Sequence, residues 1–377
     1  MQKIINDTKL DFDDVLIVPQ RSTLTSRSEI KLDRTFRFYH SPREWTGIPI
    51  MCANMSFSSF DMAKNLSKYK IITCLHKYHS VNELIEYFTN YPQNIDYTFI
   101  SIGYKKTDLN HLLEFKNKTG IQPNICIDVP NGHMDVFVKY CKKVRDSFPD
   151  SIIIAGNVTN TSSTQELLIY GGVDIVKVGI GGGRMCTTRF VTGCGIPQLS
   201  CCLDNSYISH GLQNGSKKLG LICSDGGHKT VGDVCKALCA GSDFVMLGSY
   251  FAGTDPCVGE WQYETEYSQE TNLDYWETQN LNTTINRKKT KFTYYGMSTH
   301  KAQEIFEDHI KDYRASEGTV ITIPYKGPVE NVVQELLGGI RSACCYIGAY
   351  HIKHMAKCSQ FCRVNHIHSN KNPELGV

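Results

Sequence analysis

The sequence predicts a (β/α)8 barrel. Two observations carry that expectation: a series of short apolar runs rich in Val, Ile and Cys, and amphipathic stretches of helix length set between them. The runs fall at 48–54, 71–76, 97–103, 124–129, 151–158, 173–179, 219–227 and 243–249, each ending in a small or polar cluster. Short β-branched runs bounded in this way read as buried strands. The intervening helical stretches include 81–88, 134–148, 164–170 and 231–240. Parallel neighbours need a crossover, so strand and helix in alternation imply a parallel sheet with helices outside. Eight such units point to a closed barrel rather than an open sheet, and 377 residues are enough for one such domain. The ligand site is then expected at the C-terminal ends of the strands.

Taken in order, the chain opens with Leu10-Asp11-Phe12-Asp13-Asp14-Val15-Leu16-Ile17-Val18, an apolar run stopped by Pro19 that reads as a lead-in strand and loop. Residues 1–364 then form a single catalytic domain with two interruptions. Between the sixth and seventh runs lie a glycine loop, Cys186 and a polar stretch over 204–218. After the eighth run, residues 255–291 are long, polar and rich in Glu, Thr, Asn and Tyr, and end in Arg287-Lys288-Lys289-Thr290-Lys291. A connection this long is usually functional or mobile. Its middle, about 261–291, reads either as a surface insertion without a role or as a cover over the site. Residues 365–377 read as a disordered tail, in which His366 and His368 have no metal role.

The charge balance of 40 Lys and Arg against 38 Asp and Glu asks for neither nucleic acid nor an anionic membrane as partner. Phosphate recognition must therefore be local. The N-terminus lacks the apolar core of a signal peptide, and no apolar run approaches the ~20 residues of a membrane span. A cytoplasmic location follows as the expectation. The sixteen cysteines should then be reduced, since they form neither a paired C-x-x-C grid nor a zinc-finger spacing with His. The vicinal pairs Cys201-Cys202 and Cys344-Cys345 are read as thiols.

Chemistry concentrates on Gly179-Ile180-Gly181-Gly182-Gly183-Arg184-Met185-Cys186-Thr187-Thr188-Arg189. Glycines at a strand end let the backbone approach a ligand or ion closely. Cys186 stands on that loop between Arg184 and Arg189, whose charge would favour a thiolate. Asp225-Gly226-Gly227 and Gly248-Ser249 end the seventh and eighth runs, where barrels of this type often form a phosphate site from exposed backbone N–H groups. Glu317 is by default a solvated carboxylate. If its loop folds back over the barrel, it would pair with Thr188 and polarise that hydroxyl.

The Cys-Thr-Thr-Arg loop, Asp225-Gly226-Gly227, Gly193 to Gln198, Asn54-Met55 and Phe12 to Val15 together resemble the IMP dehydrogenase/GMP reductase family, from Leu10 to about Val364. Three features resemble its reductase branch. There is no room between 97 and 129 for a regulatory insertion. Tyr295-Gly296-Met297-Ser298 stands where the dehydrogenases have R-G-M-G. Tyr313-Arg314-Ala315-Ser316-Glu317-Gly318 is followed by Pro324-Tyr325-Lys326-Gly327 with no recognisable dehydrogenase flap. The alternatives are an IMP dehydrogenase without its regulatory domain and a non-catalytic purine-nucleotide sensor.

The resemblance implies NADPH-dependent reductive deamination of GMP to IMP and ammonia, with Cys186 as nucleophile and Thr188 and Glu317 handling the proton. It implies nucleotide contacts at Asp225, Gly226, Gly227, Gly248, Ser249, Gly296, Met297, Ser298, Arg314, Ala315, Ser316 and Gly318. Cofactor contacts are implied at Lys77, Asp128, Val129, Pro130, Ile180, Gly181, Met297, Tyr313 and Arg314, with Asn157 as an addition. Ser26, Arg27, Ser342, Ala343, Cys344 and Cys345 are implied to reach the cofactor across a subunit boundary, hence a homotetramer. A potassium ion (K+) is implied at Gly181, Gly183, Cys186 and Arg189, bound by loop carbonyls. The chain departs from the pattern at Gly182-Gly183-Arg184, where relatives have Pro-Gly-Ser and the serine touches phosphate. Arg184 is expected to replace that contact or to reach the cofactor. Ser56 stands for the usual Asp, and Pro130 and Ser249 replace smaller residues.

Overall fold

Eight short parallel strands hydrogen-bond in a closed ring in the computed structural model, which describes residues 4–270, 282–306 and 315–365. In chain order the strands are Ile50–Cys52, Ile72–Leu75, Thr98–Ile102, Asn124–Asp128, Ile153–Val158, Ile175–Val178, Leu221–Asp225 and Phe244–Leu247. The ring closes where Val245 of the eighth strand registers with Ile50 of the first. All eight expected strands are present, and the (β/α)8 architecture is as the sequence implies.

Each strand is buried on both faces, which explains the unbroken apolar runs. Side chains alternate between two cores, as the two-residue period of a strand requires. Met51, Cys74, Phe99, Cys126, Ile154, Ile175, Cys223 and Phe244 fill the lumen, while Ile50, Ile100, Ile125, Ile153, Val176, Ile222 and Val245 face the helices. A hairpin of Arg34–Arg37 and Glu44–Gly47 stoppers the N-terminal end, with Phe36 stacked on Phe244 at 4.5 Å.

The outer layer comprises α1 (Phe60–Ser67), α2 (Val81–Asn90), α3 (Lys106–Thr119), α4 (Asp135–Ser147), α5 (Thr161–Ile169), α7 (Gln198–Gly211), α8 (Val231–Cys239) and α10 (Val329–Ile347), while the short α6 (Thr188–Thr192) and α9 (His300–Phe306) lie at the barrel mouth. Caps start several of them: the Ser80 hydroxyl accepts from the Glu83 N–H while Glu83 accepts from the Ser80 N–H, a reciprocal capping box. Among the described residues no helix is long and apolar enough to cross a membrane.

Two stretches differ from the sequence reading. Part of the polar stretch at 204–218 is helix: α7 buries Gln198, Ser200, Cys201, Cys202, Asn205, Ser206 and Ser209. Its inner face is polar but bonded, Asn205 donating to the Thr159 carbonyl at 3.0 Å and Ser209 to the Gly220 carbonyl at 2.8 Å. With so few aliphatic residues on that face, the helical period did not register. The second stretch is the long polar connection. Trp261–Glu270 and Asn282–Tyr295 are antiparallel strands, joined by Val320–Pro324 into a three-stranded sheet. Part of the middle of that insertion (271–281) and the tail with His366 and His368 lie outside the described residues.

The lead-in segment behaves as expected. Val15–Ile17 pairs with Phe361–Arg363, and a short helical turn at Phe12–Asp14 packs against the seventh barrel unit.

Candidate active site

The loop leaving the sixth strand returns across the barrel mouth. Gly179 at φ 134° and Gly181 at φ 79° hold backbone that other residues avoid. Neither position has space for a side chain: a Cβ on Gly179 would lie 2.3 Å from the Asp225 carbonyl, and one on Gly181 2.5 Å from Arg189 Cγ. The turn that follows places Cys186. Its Sγ donates to Thr188 Oγ1 at 3.1 Å, and Thr188 Oγ1 donates to Glu317 Oε2 at 2.6 Å. Two residues 129 positions apart are thus within direct hydrogen-bond reach.

Backbone bonds lock the two loops together. The Thr187 N–H donates to the Glu317 carbonyl at 3.1 Å and the Thr319 N–H to the Met185 carbonyl at 2.9 Å. Cys186 and Gly318 also form an isolated antiparallel bridge.

Arg189 corrects an expectation. Its guanidinium donates to Asp11 Oδ2 at 3.0 Å and to the Ile196 carbonyl at 2.7 Å. It clamps the loop to the N-terminal segment instead of facing the thiol, a pairing across sequence that no local pattern displays.

Two adjoining cavities open on Cys186. The first is lined by Gly183, Arg184, Met185, Cys186, Asp225, Gly226, Gly227, Gly248, Ser249, Gly296, Met297, Ser298 and Glu317. Ala315, Ser316 and Gly318 stand on the same turn as Glu317 without lining it, and Ser316 Oγ donates to the Gly318 carbonyl at 3.3 Å. Tyr313 and Arg314 lie outside the described residues.

The second cavity, about 520 Å3, holds Lys77, Asp128, Val129, Pro130, Asn157, Ile180 and Gly181, and shares Gly183, Cys186, Asp225, Gly226, Met297, Ser298 and Glu317 with the first. Ser26, Arg27 and Ser342 to Cys345 line neither cavity. The structure does bring them together, since the turn at Arg27–Glu29 packs on α10, which carries the latter four. Cys344 is wholly buried there, so its side chain is not the expected contact.

Sequence reasoning missed Lys177, although it breaks an apolar strand run. It is wholly buried, its ammonium paired with Asp128 and lying 3.5 Å from Asp225 Oδ2. Burial opposes its charge, but the two carboxylates outweigh burial and hold its pKa well above the usual lysine range. Asp128 is correspondingly held low: burial would raise it, and Lys177 with the Asn54 amide more than compensates. One buried cation therefore joins the carboxylate of the second cavity to that of the first. Asn157 donates to Asp225 Oδ2 at 2.9 Å and to the Gly179 carbonyl at 2.8 Å.

Tyr294 was missed as well. Burial pushes its phenol up, so it remains a donor, and its oxygen lies 2.8 Å from where a Cβ on Gly248 would be. The Tyr-Tyr pair directly before Gly296 was the available signal. His228 also lines the first cavity, neutral because burial pushes it down to about 3, and bonded to Ser224 Oγ at 3.0 Å.

The donor sets can be tested against the groups the resemblance implies. The second cavity has Lys77 and Asp128 at its wall and the buried Asn157 Oδ1 without a hydrogen bond, a set suited to a polar cofactor headgroup. Beneath the glycine loop Gln198 Oε1 is a buried acceptor without a partner. It lies 2.5 Å from a Cβ position on Gly179 and 3.6 Å from one on Gly182. One free amide oxygen beneath a glycine loop is the kind of ligand a hard cation takes. Arg189 could join such a set only through its carbonyl, which accepts from the Gly193 N–H at 3.2 Å.

Fold and site together define a (β/α)8 barrel with a thiol, hydrogen-bonded through a hydroxyl to a carboxylate, set between a glycine cradle and a second polar cleft. The chain belongs to the IMP dehydrogenase / GMP reductase family, whose domain profile matches residues 9–371. It is 42% identical over 366 residues to the GMP reductase of Buchnera aphidicola subsp. Schizaphis graminum (strain Sg), covering 96% of each chain. To human GMP reductase 1 it is 40% identical over 370 residues, covering 98% of this chain and 99% of the relative. To the GMP reductase of Onchocerca volvulus it is 42% identical over 372 residues, covering 97% and 93%.

Proposed function

We propose that this protein catalyses the NADPH-dependent reductive deamination of GMP to IMP and ammonia. The observation that carries the reading is the chain of hydrogen bonds from Cys186 through Thr188 to Glu317. The names of its relatives, GMP reductases over nearly their whole length, agree with it.

Cys186 adds to C2 of the purine as its thiol proton passes through the Thr188 hydroxyl to Glu317, which is the direction in which both bonds point. The same route in reverse protonates the 2-amino group, and ammonia leaves with the electron pair of the C2–N bond. A thioimidate on Cys186 remains. A bound nicotinamide would supply hydride at C2, and Cys186 would leave as the sulfur of the broken C2–S bond, giving IMP.

The chain's own residues position the partners. Asp225 faces the ribose, Gly226, Gly227, Gly248 and Ser249 the phosphate, and Gly296, Met297, Ser298 and the 315–318 turn the base, with Arg314 assigned there too. Lys77, Asp128, Val129, Pro130, Ile180, Gly181 and Asn157 hold the nicotinamide side. Potassium at the carbonyls of Gly181, Gly183 and Cys186 would neutralise the inward dipoles of the loop. In a homotetramer, Ser26, Arg27 and the 342–345 turn of α10 would serve a neighbouring subunit's cofactor. Sixteen free thiols suit a reducing cytoplasmic setting.

Purified protein given GMP with NADPH, and separately IMP with NAD, is followed by absorbance of the reduced nicotinamide and by ammonia release. Loss of absorbance with ammonia only in the first mixture is expected. Gain of absorbance in the second alone would make the protein an IMP dehydrogenase, and silence in both with GMP still bound would make it a sensor.

A further inference from the structure

Arg184 lines the glycine end of the nucleotide cavity, Lys326 is bonded to the turn at its edge, and the reaction above uses neither. Arg184 follows the glycine loop and lines the cavity beside Gly226, Gly227, Gly248 and Ser249. It is exposed, and among the described residues no hydrogen bond or ion pair holds its guanidinium. Lys326 arrives from the other side, on the segment after Val320–Pro324. Its ammonium donates to the Ser249 carbonyl at 2.7 Å and to the Tyr250 carbonyl at 3.0 Å, while its own N–H donates to the Gly253 carbonyl at 2.9 Å.

Lys326 is exposed by surface area, yet desolvation around it pushes its pKa down to about 8, with the charge of Arg184 adding to the shift. Arg184 also acts on the buried Tyr294 hydroxyl, which packs on Gly248. Like charges drawn together over a glycine cradle are favourable when an anion comes between them. Because peptide units are planar, holding the carbonyls of Ser249 and Tyr250 also fixes the direction of the N–H groups bonded to them.

We propose that Arg184 and Lys326 form a paired clamp for the dianionic phosphate monoester of the nucleotide. Arg184 contacts the phosphate as a two-pronged donor, and Lys326 is a positioning residue that holds the 248–250 turn behind it. The clamp makes this protein selective for nucleotide over nucleoside by charge. It rests on the nucleotide reading of the cavity given above, and its test does not depend on turnover.

Calorimetric titration with GMP, guanosine and inorganic phosphate on the intact protein measures the effect. Arg184→Ala is expected to weaken GMP and inorganic phosphate by about tenfold or more while leaving guanosine unchanged. Lys326→Met is expected to act in the same direction by a smaller factor, and Lys326→Arg, which keeps the charge and the fold, to restore most of it. Raising ionic strength should weaken GMP binding more in the unaltered protein than in Arg184→Ala. Equal phosphate affinity in the unaltered protein and Arg184→Ala overturns the proposal. So does a loss confined to Arg184→Ala with Lys326→Met and Lys326→Arg both unaffected. If the variants lose phosphate affinity but the unaltered protein never oxidises NADPH with GMP, the reaction assigned above fails and the clamp stands.

Discussion

The barrel and the sheet beside its mouth are built by opposite means, and the site lies where they meet. Barrel strands are parallel and buried on both faces, so their positions are set by two cores at once. The outer sheet is antiparallel, and among its described side chains burial is confined to the root. Phe292, Tyr294, Tyr295 and Ile323 are buried, whereas Gln262, Tyr263, Glu264 and Thr265 are exposed. Cys186 and Thr188 belong to the first region, and Glu317 immediately precedes the last strand of the second. A nucleophile gains from rigidity, while a carboxylate that exchanges protons can sit on an element of lower local stability. The two halves should therefore be separable by mutation.

The largest effect is expected on the barrel side. Cys186→Ala should reduce turnover by at least about a thousandfold while GMP binding, measured by calorimetry, persists. On the sheet side, Glu317→Gln should lower kcat by about 10²–10⁴ with little change in the Michaelis constant for GMP. Equal losses in binding would mean that the carboxylate holds the base instead of moving a proton. A third substitution attacks the root itself. Phe292→Ala removes a large buried ring at a cost of about 3–5 kcal/mol. Hydrogen exchange should then quicken at 291–295 and 320–324 while the barrel strands stay protected. Exchange quickening throughout would show that sheet and barrel unfold as one unit.

A pH profile tests the seam between the regions. Lys326 faces Cys257, Arg184 and Glu335, and its pKa is lowered to about 8, so it carries charge below that pH and loses it above. kcat/KM for GMP should accordingly fall as pH rises through about 8, and the fall should be absent in Lys326→Met. Stability runs the other way. Above about pH 8 the unfolded chain binds more protons than the folded one at this residue, so its contribution to stability rises with pH. The smallest effect is expected at the far end of the hairpin. Among the described residues from 261 to 291, none lines either cavity. Replacing 264–288 by a tight turn should leave kcat and both Michaelis constants unchanged, and a loss of activity would restore the reading of that segment as a cover.

Most of the barrel was legible because a strand buried on both faces has no choice but to be apolar. Helix α7 was not, since its buried face is Gln, Ser, Asn and Cys satisfied by hydrogen bonds. The antiparallel strands were hidden for a related reason: their sequence shows little apolar alternation, and residues such as Glu264 and Lys288 meet only through their register. Cys186 and the Asp225-Gly226-Gly227 turn stood out by their place after strands. Tyr294, Lys177 and the Arg189–Asp11 clamp did not, because each acquires its role from a partner remote in the chain.

By itself the sequence determined the order of strands and helices, the loop that carries the sulfur and the glycines at strand ends that let the backbone turn tightly, since these follow from local periodicity and conformational freedom. Only the tertiary structure decided that Glu317 reaches Thr188, that Lys177 joins Asp128 to Asp225, and that Lys326 holds the Ser249 and Tyr250 carbonyls beside the cavity that Arg184 lines. Such contacts depend on how a ring of eight strands closes and on where an antiparallel sheet is rooted beside it. Neither is written in the neighbours of any one residue.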